Sequence, residues 1–110
     1  MQSLAVLPFV NANDDPNFEY LSDGLTENLI NSLSEISRLS VAPRSTVFRF
    51  KKKDADPVEV GRALGVDTLL TGRVFQRGDS INVQTELIHV LRNSQLWGRQ
   101  YDRKISDREH

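Results

Sequence analysis

Five carboxylates, Asp14, Asp15, Glu19, Asp23 and Glu27, crowd the stretch where an apolar run gives way to helical spacing. Oxygen-rich clusters at a strand-to-helix junction can hold divalent cations, and open α/β folds often bind ligands there. The spacing lacks the Asp-x-Asp-x-Asp-Gly register of a calcium loop, however. Acids at a helix start also stabilise it against the positive end of the macrodipole. A structural role is therefore expected, with no metal and no cofactor. Lys51-Lys52-Lys53, with Arg44, Arg49 and the interleaved Phe48 and Phe50, has the chemistry to touch phosphate. Yet 14 basic residues against 15 acidic ones leave a net charge of −1, and a domain without basic excess is not expected to bind nucleic acid.

His89 is the one histidine suited to proton transfer, and a general base needs a nucleophile or acid beside it. None stands at a recognisable spacing, and the chain has no Gly-x-Ser-x-Gly, Walker or Gly-x-Gly-x-x-Gly pattern. With no cysteine, thiolate catalysis, disulfides and cysteine-ligated zinc are excluded. The expected class is a non-enzyme.

Two rows of side chains suit contact with another protein. Trp97, Arg99, Tyr101 and Arg103 share one face of a strand. They are read either as core packing or as an aromatic anchor for a partner. Asn82, Gln84 and Glu86 form a polar row on a neighbouring strand, marking a face not claimed by the helices that a partner or a second copy could cover.

The elements that position these groups follow from periodicity. Ser3 to Val10 is nearly all apolar and reads as a strand covered on both faces, with Pro8 at an edge or near its end. Leu21, Leu25, Leu29, Leu33 and Ile36, with Ile30, form the apolar stripe of a long helix, and Thr26 falls on its polar side. Leu39 to Ala42 is a short strand closed by Pro43. Residues 45–53 read as a helical turn or irregular chain. Asp56, Pro57 and Glu59 announce a second helix that Gly65 closes. Thereafter the period is two: a strand at 67–76, a hairpin turn at Arg77-Gly78-Asp79, a strand in which Ile81, Val83, Thr85 and Leu87 alternate with Asn82, Gln84 and Glu86, and a last strand from Gln95 to about Arg103. The order β-α-β-α-β-β-β predicts an α/β fold of α+β type, two helices packed on one face of a mixed sheet of about five strands.

The segments Ser3-Leu4-Ala5-Val6-Leu7-Pro8-Phe9, Glu19 to Glu27, Gly61 to Asp67, Leu70 to Val74 and Leu96 to Arg103 resemble, in order, the TolB-like amino-terminal domain family. Together they span most of the chain. One domain is expected over 1–110, and the strand-like run beginning at Ser3 and the ending at Arg108-Glu109-His110 read as a piece excised from a larger chain, with 109–110 as a tag remnant. In bacterial proteins domains of that family lie between a signalling module (kinase, nucleotide cyclase or winged-helix regulator) and a tetratricopeptide-repeat array. The family has no agreed catalytic residues. A non-catalytic interaction or spacer domain is expected, contacting neighbouring domains, another subunit or a second copy. The alternative is a small-ligand sensor with a pocket at the carboxyl end of the first strand. Leu4 to Val10 is far short of the ~20 residues of a membrane span and lacks a signal-peptide charge pattern. No direct membrane insertion is expected, and family context favours an extracytoplasmic position.

Overall fold

The computed structural model describes residues 2–12, 16–51 and 56–104. In chain order the elements are β1 (Ser3–Val6), β2 (Val10–Asn11), α1 (Pro16–Ser34), β3 (Ser40–Val41), α2 (Arg44–Val47) continuing into a 3-10 turn at Phe48–Phe50, α3 (Pro57–Leu64), β4 (Thr68–Arg77), β5 (Ser80–His89) and β6 (Ser94–Lys104). The strands form one mixed sheet in the order β3-β1-β4-β5-β6, with β2 also paired to β4. The class is that expected, and the element order matches it apart from a third helix, the short α2 in the segment read as a helical turn or irregular chain, and a sixth strand. The sixth strand arises because the first apolar run is divided in two.

Proline causes that division. Leu7 still donates its N–H to Leu70 O at 2.9 Å, but Pro8 has none to give. Phe9 then donates to the Thr26 hydroxyl of α1 at 2.9 Å, and pairing with β4 resumes at Val10. Thr26 Oγ1 in turn donates to Ser22 O at 2.9 Å, and both residues are fully buried. Thr26 therefore lies on the buried side of α1, contrary to its expected polar face, because a strand N–H orphaned by the proline break needs an acceptor. Leu21, Leu25, Leu29 and Leu33 pack on the core as the stripe predicts. The helix ends at Ser34, however, and Ile36 lies beyond it in solvent.

Strand β4 is the centre. Leu4, Ala5 and Val6 of β1 lie beside Thr68, Leu69 and Leu70 in parallel register, and β4 pairs antiparallel with β5 over its whole length. The parallel junction is tied at its start by Asp67. Its carboxylate accepts from the backbone N–H of Gln2 (3.1 Å) and Ser3 (3.4 Å) and from the Thr68 hydroxyl (2.8 Å), while its own N–H donates to Ser3 Oγ (2.8 Å).

The helices do not share one face. From β1 the chain runs outward through α1 to β3, then back through α3 across β1 to β4. Two right-handed crossovers in opposite directions put their helices on opposite faces. Side chains agree: Gly61 of α3 abuts Leu69 and Val90, whereas Gly72, three residues along β4 from Leu69 and so on the other face, abuts Phe9. Helix α1 lies against β1, β2, β3 and β4. The expected placement on a single face is thus corrected, and β1 becomes buried from both sides.

Helix α3 forms as its local chemistry dictates. Asp56 Oδ1 accepts from Val58 N (3.0 Å), Pro57 opens the helix, and Gly65 at φ 72° closes it while Val66 N donates to Gly61 O.

Two glycines test this packing. A Cβ on Gly72 would stand 2.5 Å from the buried Phe9 ring, whereas one on Gly24, inside α1, meets nothing within 4 Å. Gly72→Ala is expected to destabilise by about 1–3 kcal/mol through overpacking. Gly24→Ala should stabilise by about 0.5–1 kcal/mol through helix propensity. Urea denaturation of both variants checks the opposite signs, and like signs would contradict the arrangement.

Candidate interaction surface

The acidic cluster is occupied from within. Lys51 bridges Glu19 and Asp23, reaching Asp23 Oδ2 at 2.8 Å, and Arg44 Nε donates to Glu27 Oε2 at 2.6 Å. The Arg44 guanidinium also lies 4.4 Å from the centre of the Phe48 ring. The contact with Lys51 holds the Glu19 carboxyl below its ordinary value, against the opposing effect of burial. Burial pulls Lys51 down, but Asp23 and Glu19 outweigh it and leave it raised. Acids read as metal ligands and cations read as phosphate contacts therefore clasp α2 and its 3-10 turn to α1. Asp14, Asp15, Lys52 and Lys53 lie outside the described residues. Among the described residues no three His, Asp or Glu side chains gather as a metal site.

His89 accepts the N–H of Arg92 on Nδ1 at 3.3 Å, which fixes the turn between β5 and β6.

Strand register sorts the two candidate rows. Trp97, Arg99 and Tyr101 stand beside Leu87, Thr85 and Val83 on the face that carries Gly72 and Val74, while Asn82, Gln84 and Glu86 lie on the other face, the one α3 covers at Leu69, so the expectation of a face without helices is corrected. Trp97 is 46% exposed and Tyr101 50%, because β6 is the last strand in the sheet order and has a strand neighbour, β5, on one side. The core reading of these aromatics is thus corrected to a solvent-facing one. Arg99 is exposed as well, and the Arg103 side chain lies outside the described residues. The polar row is uneven. Glu86 is exposed and Gln84 half-buried, but Asn82 is only 5% exposed, with Nδ2 donating to Asp102 Oδ1 at 2.6 Å and Oδ1 unpartnered. Asn82 thus anchors β6 to β5 through Asp102, its register neighbour, and is not open surface.

Two features escape the sequence pattern. Leu96 is 48% exposed beside a register shift at Leu87/Ile88, so strict alternation fails there. A groove of about 600 Å³ runs over the sheet, lined in part by Val10, Thr71, Arg73, Gln84, Glu86 and Gln100. These residues come from four strands, and only pairing register brings them together.

The Asp67 knot sets a pH dependence. Burial would raise its carboxyl, but the Thr68 hydroxyl and the two backbone N–H groups outweigh burial and lower it from the ordinary 3.8. In acid the unfolded chain therefore takes up the proton first. The stabilisation is complete above 3.8 and lost as the pH falls through the lower folded-state value. Asp67→Asn should lower the urea midpoint at neutral pH and flatten its acid-side decline. An unchanged decline would contradict this role.

Comparison with known proteins agrees with this geometry. The family model described as HilA/YgeH-like transcriptional regulator, second domain, matches residues 1–106. The putative adenylate cyclase 3 of Rhizobium meliloti (strain 1021) is 39% identical over 105 residues, covering 96% of this chain and 18% of that protein. The Tol-Pal system protein TolB of Alkalilimnicola ehrlichii is 31% identical over 99 residues, covering 89% of this chain and 22% of that protein. The chain thus spans about a fifth of the length of these two relatives. Among solved structures, lipoprotein GNA1162 from Neisseria meningitidis superposes with a TM-score of 0.72 at 19% identity, covering 94% of this chain and 81% of that one, a likeness of fold.

Proposed function

The chain belongs to the HilA/YgeH-like second-domain family and has the TolB-like amino-terminal fold, and from that premise we propose that it is a non-catalytic interaction or spacer domain. The observation that carries this reading is the last strand. β6 runs for 11 residues along an edge that no other strand pairs with among the described residues, and holds Leu96, Trp97 and Tyr101 about half exposed. An unprotected edge offers main-chain donors and acceptors to an added strand, and exposed aromatics supply anchors. Arg99 stands between the two aromatics on the same face, and Gln84 and Glu86 lie on the opposite face of the sheet. Asn82 supports it from beneath.

The parent is read as a multidomain bacterial signalling protein whose effector is a cyclase, kinase or winged-helix regulator, with a tetratricopeptide-repeat array beyond. The adenylate cyclase relative and the transcriptional-regulator family support the first part of that reading. An extracytoplasmic position is supported by the likeness to TolB and to a lipoprotein. The partner is a neighbouring domain or another subunit.

Hydrogen exchange tests the reading. Amides of β6 that exchange freely in the dilute isolated chain should become protected when the same residues are followed in the assembled parent protein. Equal exchange in both would overturn it. A second reading rests on the groove, which Val10 of β2, past the carboxyl end of β1, lines together with Thr71, Arg73, Gln84 and Glu86. A small polar ligand seated there would raise the melting temperature dose-dependently in a thermal-shift screen of nucleotides, sugars and divalent ions. No shift with any class would remove the sensor reading.

A further inference from the structure

The edge strand has a charge pattern that selects its occupant. On the face of β6 that carries Trp97, Arg99 and Tyr101, a single cation sits between two exposed aromatics, and Arg99 forms no ion pair among the described residues. The opposite face offers Gly98, Gln100 and Asp102, the last already held by Asn82. No proline interrupts the strand, and its pairing with β5 is regular from Trp97 to Lys104. These are conditions under which an edge accepts another strand rather than repelling it.

We infer that the occupant is a second copy of this chain, paired β6 to β6 in antiparallel fashion about a two-fold axis at Gln100. This rests on the interaction reading above and names its partner. A two-fold pairing is isologous, so each residue is placed opposite one fixed counterpart in the other copy. Registers that keep like faces together differ in steps of one residue at the axis, and charge distinguishes the four centred on the middle of the strand, from Gly98 to Tyr101. With the axis at Arg99, arginine faces arginine. With the axis at Tyr101, Arg99 faces position 103, again an arginine. With the axis at Gly98, Arg92 of the preceding turn meets position 104, a lysine. Like charges directly opposite one another are destabilising.

At Gln100 the pattern is complementary. Arg99 of each copy stands beside Tyr101 of the other, a cation–aromatic pair made twice by symmetry. Gly98 faces Asp102, Leu96 faces Lys104, and Trp97 faces position 103, an arginine. No like charges meet between Leu96 and Lys104, and the whole-chain charge of −1 opposes approach only weakly. The paired sheets would continue through both molecules, with the four aromatics on one shared face.

The chain has no cysteine, so the axis can be mapped by single cysteines. Directly opposed residues of an antiparallel pair have Cα atoms about 4.5–5.5 Å apart, within disulfide range. Sedimentation equilibrium of the unmodified chain should give twice the monomer mass as concentration rises. Replacing Trp97 and Tyr101 together by alanine should weaken that dimer by about tenfold or more. Under mild oxidation Gln100→Cys should cross-link to itself much faster than Gln95→Cys on the same strand. An equimolar mixture of Arg99→Cys and Tyr101→Cys should cross-link to each other rather than to themselves. A chain that stays monomeric, or a Gln100→Cys that cross-links no faster than Gln95→Cys, overturns the self-pairing. If β6 is nevertheless protected in the parent protein, the edge belongs to a different chain, and the interaction reading stands without this one.

Discussion

Strand β4 is hydrogen-bonded on both sides, to parallel neighbours on one and to an antiparallel hairpin on the other. The two sides make different demands on the chain. Parallel strands need crossovers, and crossovers bring helices, so the half of the sheet around β1 is sandwiched between α1 and α3. An antiparallel strand needs only a turn. Gly78-Asp79 and Leu91-Arg92-Asn93 return the chain to the sheet without a helix. Helical cover therefore gives out past β4. Leu69 and Val74 are fully buried on the central strand, while every described residue from Leu91 to Asp102 is exposed. The projecting hairpin follows from the topology.

The polar side chains mostly work inside that frame. Thr26 accepts the N–H that Pro8 leaves without a strand partner, Asp67 gathers the start of β1 onto β4, and Asn82 ties Asp102 of β6 to β5. The clasp of Lys51 and Arg44 on the acids of α1 is exposed, and surface ion pairs of this kind contribute only about 0–1 kcal/mol each. Its consequence is orientation: it fixes the path of the chain from β3 toward α3. These groups are engaged within the fold, and the last strand holds Trp97, Arg99 and Tyr101 at the surface.

Elements whose signals are local were legible in the sequence. Asp56, Pro57 and Gly65 each act within one turn of α3, and the leucine stripe and the period-two strands report burial directly. What escaped depends on long-range placement. Thr26 looked like a surface residue because its partner, Phe9 N, lies 17 positions away. The two-faced arrangement of the helices depends on strand order, which periodicity does not encode. Trp97 and Tyr101 have core-like residue types, and only the position of β6 at the end of the sheet leaves them in water. Asn82 erred in the opposite sense: its alternation read as open surface, but it is buried and bonded to Asp102.

Trp97 is the single tryptophan of the chain, so its fluorescence reports one site. In dilute solution the account predicts emission at the red, water-like end of the tryptophan range and ready quenching by acrylamide. Blue-shifted emission shielded from acrylamide in a demonstrably monomeric sample would place this ring in the core and contradict the exposed-edge account.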